Sequence, residues 1–268
     1  MSKFLPAGML LFLSIFALEC GGQGRGSEAA VAGASQASNP SPGFTVDFTD
    51  CIESIGVGLV PTANARALVP AEYVLAGDGG AATPIVVRTS RCGGIAVDGH
   101  KARAGSIVQV GAVIVPPDFT GDINSYTFWY YTSNDGLAFR LRSVGVNAQL
   151  VDIDYDYRPD VNRYHNPNAF HVEVPWPGDP RFSLSGTVDP STAPSGSFDA
   201  NWWKSAVGGD SVKMETHVPV IDIGGADLTV STKANSSLGQ LLGGASAEFP
   251  LLQQFNQFHN AQMQVTPH

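Results

Sequence analysis

Tyr126-Thr127-Phe128-Trp129-Tyr130-Tyr131 places large aromatic side chains at both odd and even positions of one short run. In a strand, successive side chains leave opposite faces. Aromatics at both parities therefore predict a central strand covered on both sides. The chain then changes period. Asp135 to Val144, with Leu137, Phe139, Leu141 and Val144 apolar, reads as a helix stopped by Gly145.

Outward from this pair, most of the chain reads as strand. Pro84–Thr89 and Ile107–Val115 are Val/Ile-rich, the first preceded by the turn Gly77-Asp78-Gly79-Gly80 and the second halted by Pro116-Pro117. Further strands are expected at Gln149–Tyr157, His171–Val174, Phe182–Val188, Phe198–Lys204, Val212–Val218, Ala226–Thr232 and Ala261–Val265. Short helical turns are expected at Ala63–Leu68 and Leu238–Leu242. Thirty glycines and eighteen prolines suit many turns. The reading is a mainly β fold with short helices, built as a barrel or strongly curved sheet.

The remaining composition limits the setting. Hydrophobic residues make up 43% and charged ones 15%, enough to build a core and exclude general disorder. The net charge of −9 argues against nucleic acid or an anionic membrane surface as partner. Residues 1–19 read as an export signal, with Lys3 ahead of the apolar run Leu10–Leu18. Cys20-Gly21-Gly22 after that run resembles the lipidation site of bacterial lipoproteins, with Glu19 where that motif normally carries Gly, Ala or Ser. Residues 20–42 are small, polar and aperiodic and read as a tether, and residues 43–268 as a single domain. The expected location is exported, in the cell envelope, lipid-anchored or periplasmic or extracellular, with the membrane engaged only through the anchor. In an oxidising compartment Cys51 and Cys92 are expected to pair, the alternative being two separate buried thiols.

Several constellations offer chemistry. Asp152, Asp154 and Asp156 alternate with Ile153, Tyr155 and Tyr157 and read as a solvated strand face. Lys213, Glu215 and His217 share the other face of an apolar strand. If that face lines a cavity, Glu215 and His217 form an acid–base pair about 7 Å apart. Trp202 and Trp203 are adjacent and must leave opposite faces. No metal-ligand spacing, serine-nucleophile motif or phosphate loop occurs, so no metal and no cofactor is expected.

Read in order, Ala65-Arg66-Ala67-Leu68-Val69-Pro70, Ile107–Val113, Asn124–Tyr131 with Leu137–Gly145, and the tail from Asp210 to Val265 resemble the acetoacetate decarboxylase-like superfamily. The resemblance implies a cone-shaped antiparallel barrel with an internal pocket. It also implies a Schiff-base lysine in a Gly-x-Pro-Lys stretch. The matching stretch here is Gly145-Val146-Asn147-Ala148, so Ala148 stands in the lysine's place, and Gln109 stands where the decarboxylases carry a glutamate. Without an amine, imine chemistry is not expected. The expected pocket lining for a small, partly apolar molecule, with or without a carboxylate, is Gln109, Tyr126, Trp129, Arg140, Asn147 and Trp203, with Glu215 and His217. Two other readings remain: an isomerase, hydratase or cyclase working through Glu215 and His217, and an envelope scaffold presenting an exposed aromatic patch around Trp202 or Trp203.

Overall fold

The computed structural model describes residues 42–268 apart from 78, 158–167, 192 and 207–209. The signal, Cys20 and nearly all of the tether lie outside the described residues. From Phe44 the chain forms β1 (Phe44–Pro61), α1 (Thr62–Arg66), β2 (Ala82–Val97), β3 (Arg103–Val113), β4 (Ile123–Thr132) and α2 (Asp135–Ser143). It continues through β5 (Ala148–Leu150), β6 (Asp154–Tyr157), β7 (Asn168–Val174), β8 (Phe182–Asp189), β9 (Phe198–Ser205) and β10 (Ser211–Val218). It ends with β11 (Asp222–Thr232), α3 (Ser237–Leu242), β12 (Ser246–Glu248) and β13 (Leu252–Pro267).

Seven strands close a barrel in the order β1-β2-β3-β4-β9-β10-β13, with β13 pairing back onto β1. The expected all-antiparallel barrel needs one correction: β4 and β9 run parallel, as do β4 and the short β5. Chain connectivity accounts for this. After β4 the chain leaves the barrel through α2 and β6–β8 and returns at β9, and parallel neighbours need a crossover of this kind. β13 is shared. Lys213–His217 of β10 pair with Gln262–Thr266, while Asp222–Gly225 of β11 pair with Gln254–Gln257. From that branch β11, β8, β7 and β6 continue as an outer layer.

Two hydrophobic cores follow from strand parity. The inner one takes a residue from every barrel strand: Phe48, Val86, Ile107, Tyr130, Trp202, Met214 and Met263 are all buried there. Leu137 and Leu141 of α2 close it at one end. This helix is capped by Asn134, whose side chain accepts from the Leu137 amide at 2.9 Å. The outer core lies between the barrel wall and the outer layer and contains Val87, Val110, Tyr126, Tyr131, Trp203, Phe170, Leu184 and Phe255. Tyr130 and Tyr131, adjacent in sequence, thus belong to different cores. That is how the run that opened the sequence reading is covered on both faces.

Register shifts at two places, one of them between Cys92 and Ile95 where β2 pairs with β3. The pairing of β3 with β4 shifts between Val110 and Gly111, leaving Phe128 extra. Gly111 is needed there, because a Cβ would strike the Tyr126 carbonyl. In β1, Asp50 adopts φ 49° and interrupts both flanking ladders. One residue later Cys51 lies opposite Cys92 of β2, with Cα atoms 4.0 Å apart, and the two form a disulfide facing the inner core.

Candidate functional site

Parity brings polar groups to the middle of the inner core. Below the Asp50 kink, β1 points Cys51, Glu53, Ile55 and Val57 inward, β2 points Val86, Arg88, Ser90 and Cys92 inward, and β3 points Ile107 and Gln109 inward. Register aligns these strands. Asn256 lies opposite Glu53, Glu53 opposite Ser90, Arg88 opposite Gln109, Gln109 opposite Tyr130 and Tyr130 opposite Ala148. A polar row therefore crosses β13, β1, β2 and β3 and ends at Tyr130 and Ala148.

Its centre is a buried ion pair. Arg88 Nε donates to Glu53 Oε2 at 2.5 Å, and Ser90 Oγ donates to the same oxygen at 2.9 Å. Arg88 Nη1 donates to Gln109 Oε1 at 2.8 Å, and Asn256 Nδ2 reaches Glu53 Oε1 at 3.5 Å. These contacts fix both amide orientations. They leave Gln109 Nε2, a donor, and Asn256 Oδ1, an acceptor, buried without a hydrogen-bond partner. Gln109 and Asn256 are each 1% exposed. Burying a polar group unpaired costs about 1–3 kcal/mol. Thr127, Tyr155, Asn201, Thr216 and Ser237 also bury an unpartnered side-chain atom, so what sets the row apart is that its two orphan amides flank a buried ion pair. Tyr130 is fully buried next to Arg88, and burial pushes its phenol pKa well above the ordinary value, keeping it neutral.

The other sequence-derived candidates lie elsewhere. Of the expected pocket-lining and acid–base residues, only Gln109 faces the barrel interior. Tyr126 belongs to the outer core, 4.8 Å from the Tyr73 ring, with Lys204 Nζ 5.0 Å from its own ring centroid. Trp203 also packs in the outer core and donates through Nε1 to Asn124 Oδ1 at 2.8 Å. Trp129 packs on the outside of the barrel, edge-on to Phe128. Arg140 sits on α2, paired with Asp98 at 2.9 Å and stacked over Phe44. Asn147 is exposed and accepts from Gln149. The acid–base pair required a face lining a cavity, and β10 turns that face outward. Glu215 bonds Lys213 at 2.8 Å, and His217 bonds Asp199 at 2.6 Å with its side chain 54% exposed. The physical reason is the inward face of Val212, Met214, Thr216 and Val218, which fills the core and turns the charged parity to the outside of the barrel, where Glu215 and His217 are half-exposed.

Outside the barrel, Lys213 ties down the loop between β3 and β4. Its ammonium is nearly buried and donates to Asp118 Oδ2 and Thr120 Oγ1, both at 2.7 Å. Burial alone raises the Asp118 pKa, but the hydrogen bonds from Lys213 and Thr120 outweigh it and hold the carboxyl below its ordinary value. A depressed folded pKa contributes stability above the unfolded carboxyl range, near 4, and loses it as pH falls through the folded value. Asp118→Asn should therefore lower the melting temperature at neutral pH and flatten its decline between about pH 4 and pH 2. Melting curves across that range check this, and parallel slopes for both proteins would contradict it.

None of Glu53, Arg88 and Asn256 is reached as a site from sequence: Phe44–Pro61 is not read as a strand, the closing strand is read only from Ala261, and Arg88 within Pro84–Thr89 then has no partner to mark it. The signal was there: Glu53 and Arg88 are charges at apolar-parity positions of otherwise apolar runs.

No protein-family model matches the chain, and no curated protein matches it. Solved structures do. The enduracididine biosynthesis enzyme MppR complexed with pyruvate aligns with a TM-score of 0.54 at 16% identity, over 88% of this chain and 93% of that one. An acetoacetate decarboxylase-like enzyme from Sphingomonas wittichii RW1 aligns with a TM-score of 0.52 at 13% identity, over 87% and 96%. An acetoacetate decarboxylase gives 0.52 at 10% identity, over 87% and 93%. At these identities the likeness extends to the fold alone. The chain has the acetoacetate decarboxylase-like fold: a closed seven-stranded mixed barrel with an added outer layer of strands.

Proposed function

We propose that this domain binds one small molecule at the polar row inside the barrel, without imine chemistry, and that it does so as an exported, lipid-anchored protein. One observation carries the reading: Gln109 Nε2 and Asn256 Oδ1 are buried at the centre of the barrel with nothing to bond. A barrel serving only as a scaffold gains nothing from a buried ion pair flanked by orphan amides, since apolar residues of similar volume would be at least as stable. A bound molecule satisfying both atoms makes the arrangement favourable. The row is shut off from solvent, so a ligand reaches it only if inner side chains give way.

The absence of imine chemistry rests on Ala148. It lies next to Tyr130 at the end of the row, fully buried, and its methyl group has no nucleophile. The lysines on the barrel strands are otherwise engaged: Lys213 with Asp118 and Glu215, and Lys204 with the Thr127 carbonyl at 3.0 Å. Incubation with pyruvate and then borohydride should give no covalent mass gain, whereas an adduct trapped on any lysine would overturn this part. Native mass spectrometry of protein isolated from its own host should show a bound small mass, and protein recovered empty would contradict the binding reading. The scaffold alternative required an aromatic patch around Trp202 or Trp203, but each is 3% exposed.

A further inference from the structure

Resting on the barrel-binding reading, we infer that the ligand is an uncharged molecule carrying a hydrogen-bond acceptor and a hydrogen-bond donor at separate positions. The acceptor meets Gln109 Nε2 and the donor meets Asn256 Oδ1.

Charge is the first part of the argument. Within the row the charged groups are Glu53 and Arg88, and they neutralise each other at 2.5 Å. Arg88 already gives Nε to Glu53 and Nη1 to Gln109, so its fork is not presented bidentately to an incoming carboxylate. A ligand anion would enter beside the Glu53 carboxylate in a water-excluded space with no free cation opposite, where an unpaired charge is heavily penalised. A ligand cation would meet Arg88 in the same way. A neutral molecule leaves the pair intact.

The second part is hydrogen-bond polarity. Amide orientation is often ambiguous, but here each amide is held by a charged partner. Gln109 must turn its oxygen to Arg88, and Asn256 must turn its nitrogen to Glu53. What remains is one N–H donor from β3 and one carbonyl acceptor from β13, on opposite sides of the ion pair. A carboxylate has acceptors only and could satisfy Gln109 but not Asn256. An amide, or a molecule with a carbonyl and a separate hydroxyl, satisfies both.

Linear diamides of three to five carbons (malonamide, succinamide, glutaramide) are suitable probes, with the matching dicarboxylates and pyruvate as the anionic arm. Thermal shift and calorimetry on the full chain should show stabilisation by at least one diamide and none by the anions. In Asn256→Leu, affinity for that diamide should fall about fivefold to tenfold, the worth of one buried hydrogen bond. Asn256→Leu removes the orphan carbonyl but also the long Nδ2 contact to Glu53, so affinities are compared at a temperature where parent and variant are both folded. Gln109→Met should weaken the same diamide similarly, which keeps the test valid should Asn256→Leu fold poorly. Binding of an anion instead of the diamides would overturn the inference while leaving barrel binding in place. Equal diamide affinity in the parent and both variants would also overturn it. If no probe binds, the inference fails. The binding reading fails with it only if host-derived protein also carries no bound mass.

Discussion

Arg88→Met should destabilise the protein by about 3–5 kcal/mol, the largest effect expected of any single substitution in the barrel. The size follows from what remains. Glu53 is 3% exposed, and without Arg88 its carboxylate keeps only Ser90 and the long contact to Asn256. It must then stay charged without a counter-ion or take up a proton. Glu53→Gln should cost less, because Gln can still accept from Ser90 or Arg88. The double replacement Glu53→Leu with Arg88→Met should recover much of the loss, because removing both charges also removes the desolvation penalty. Chemical denaturation of the parent, Arg88→Met, Glu53→Leu and the double variant makes a double-mutant cycle that measures the coupling. Additive losses would mean that the two side chains do not share a buried pair.

Loss of the disulfide is the second large effect. Cys51 and Cys92 are 41 residues apart, and closing that loop should stabilise the fold by about 2–4 kcal/mol through the entropy of the unfolded chain. Both sulfurs face the inner core and both residues are nearly buried, so replacement by serine adds two buried hydroxyls. Cys51→Ala with Cys92→Ala isolates the covalent contribution better. Denaturation of that variant, beside the parent with and without reductant, should give the same loss by both routes. Unchanged stability in both would contradict a formed bridge.

Some of this was legible in sequence and some was not. The aromatic run and the helix after it marked the barrel wall, because side-chain parity survives folding. Most strands are legible, but β2 runs on to Val97 where the reading stops at Thr89, and β13 starts at Leu252 where the reading starts at Ala261. β1 was missed because Asp50 breaks its alternation: Phe44, Val46 and Phe48 keep one parity, and Cys51, Glu53 and Ile55 the other. With β1 unread, neither Glu53 nor its register against Arg88 and Asn256 was visible. The Cys51–Cys92 pairing was reachable from compartment logic alone. Glu215 and His217 misled for a different reason. Alternation tells which residues share a face but not which face turns inward, and in a closed barrel the apolar face of β10 takes the interior. Tyr126, Trp129 and Trp203 misled because the barrel has a second apolar surface, beneath the outer layer, which also collects aromatics.

The most direct test is a high-resolution crystal structure of the protein isolated from its own host. The binding account predicts non-protein density inside the barrel, within hydrogen-bond distance of Gln109 Nε2 and Asn256 Oδ1, with no bond to a lysine. A dry, fully packed interior with both amide atoms still unpartnered would contradict it.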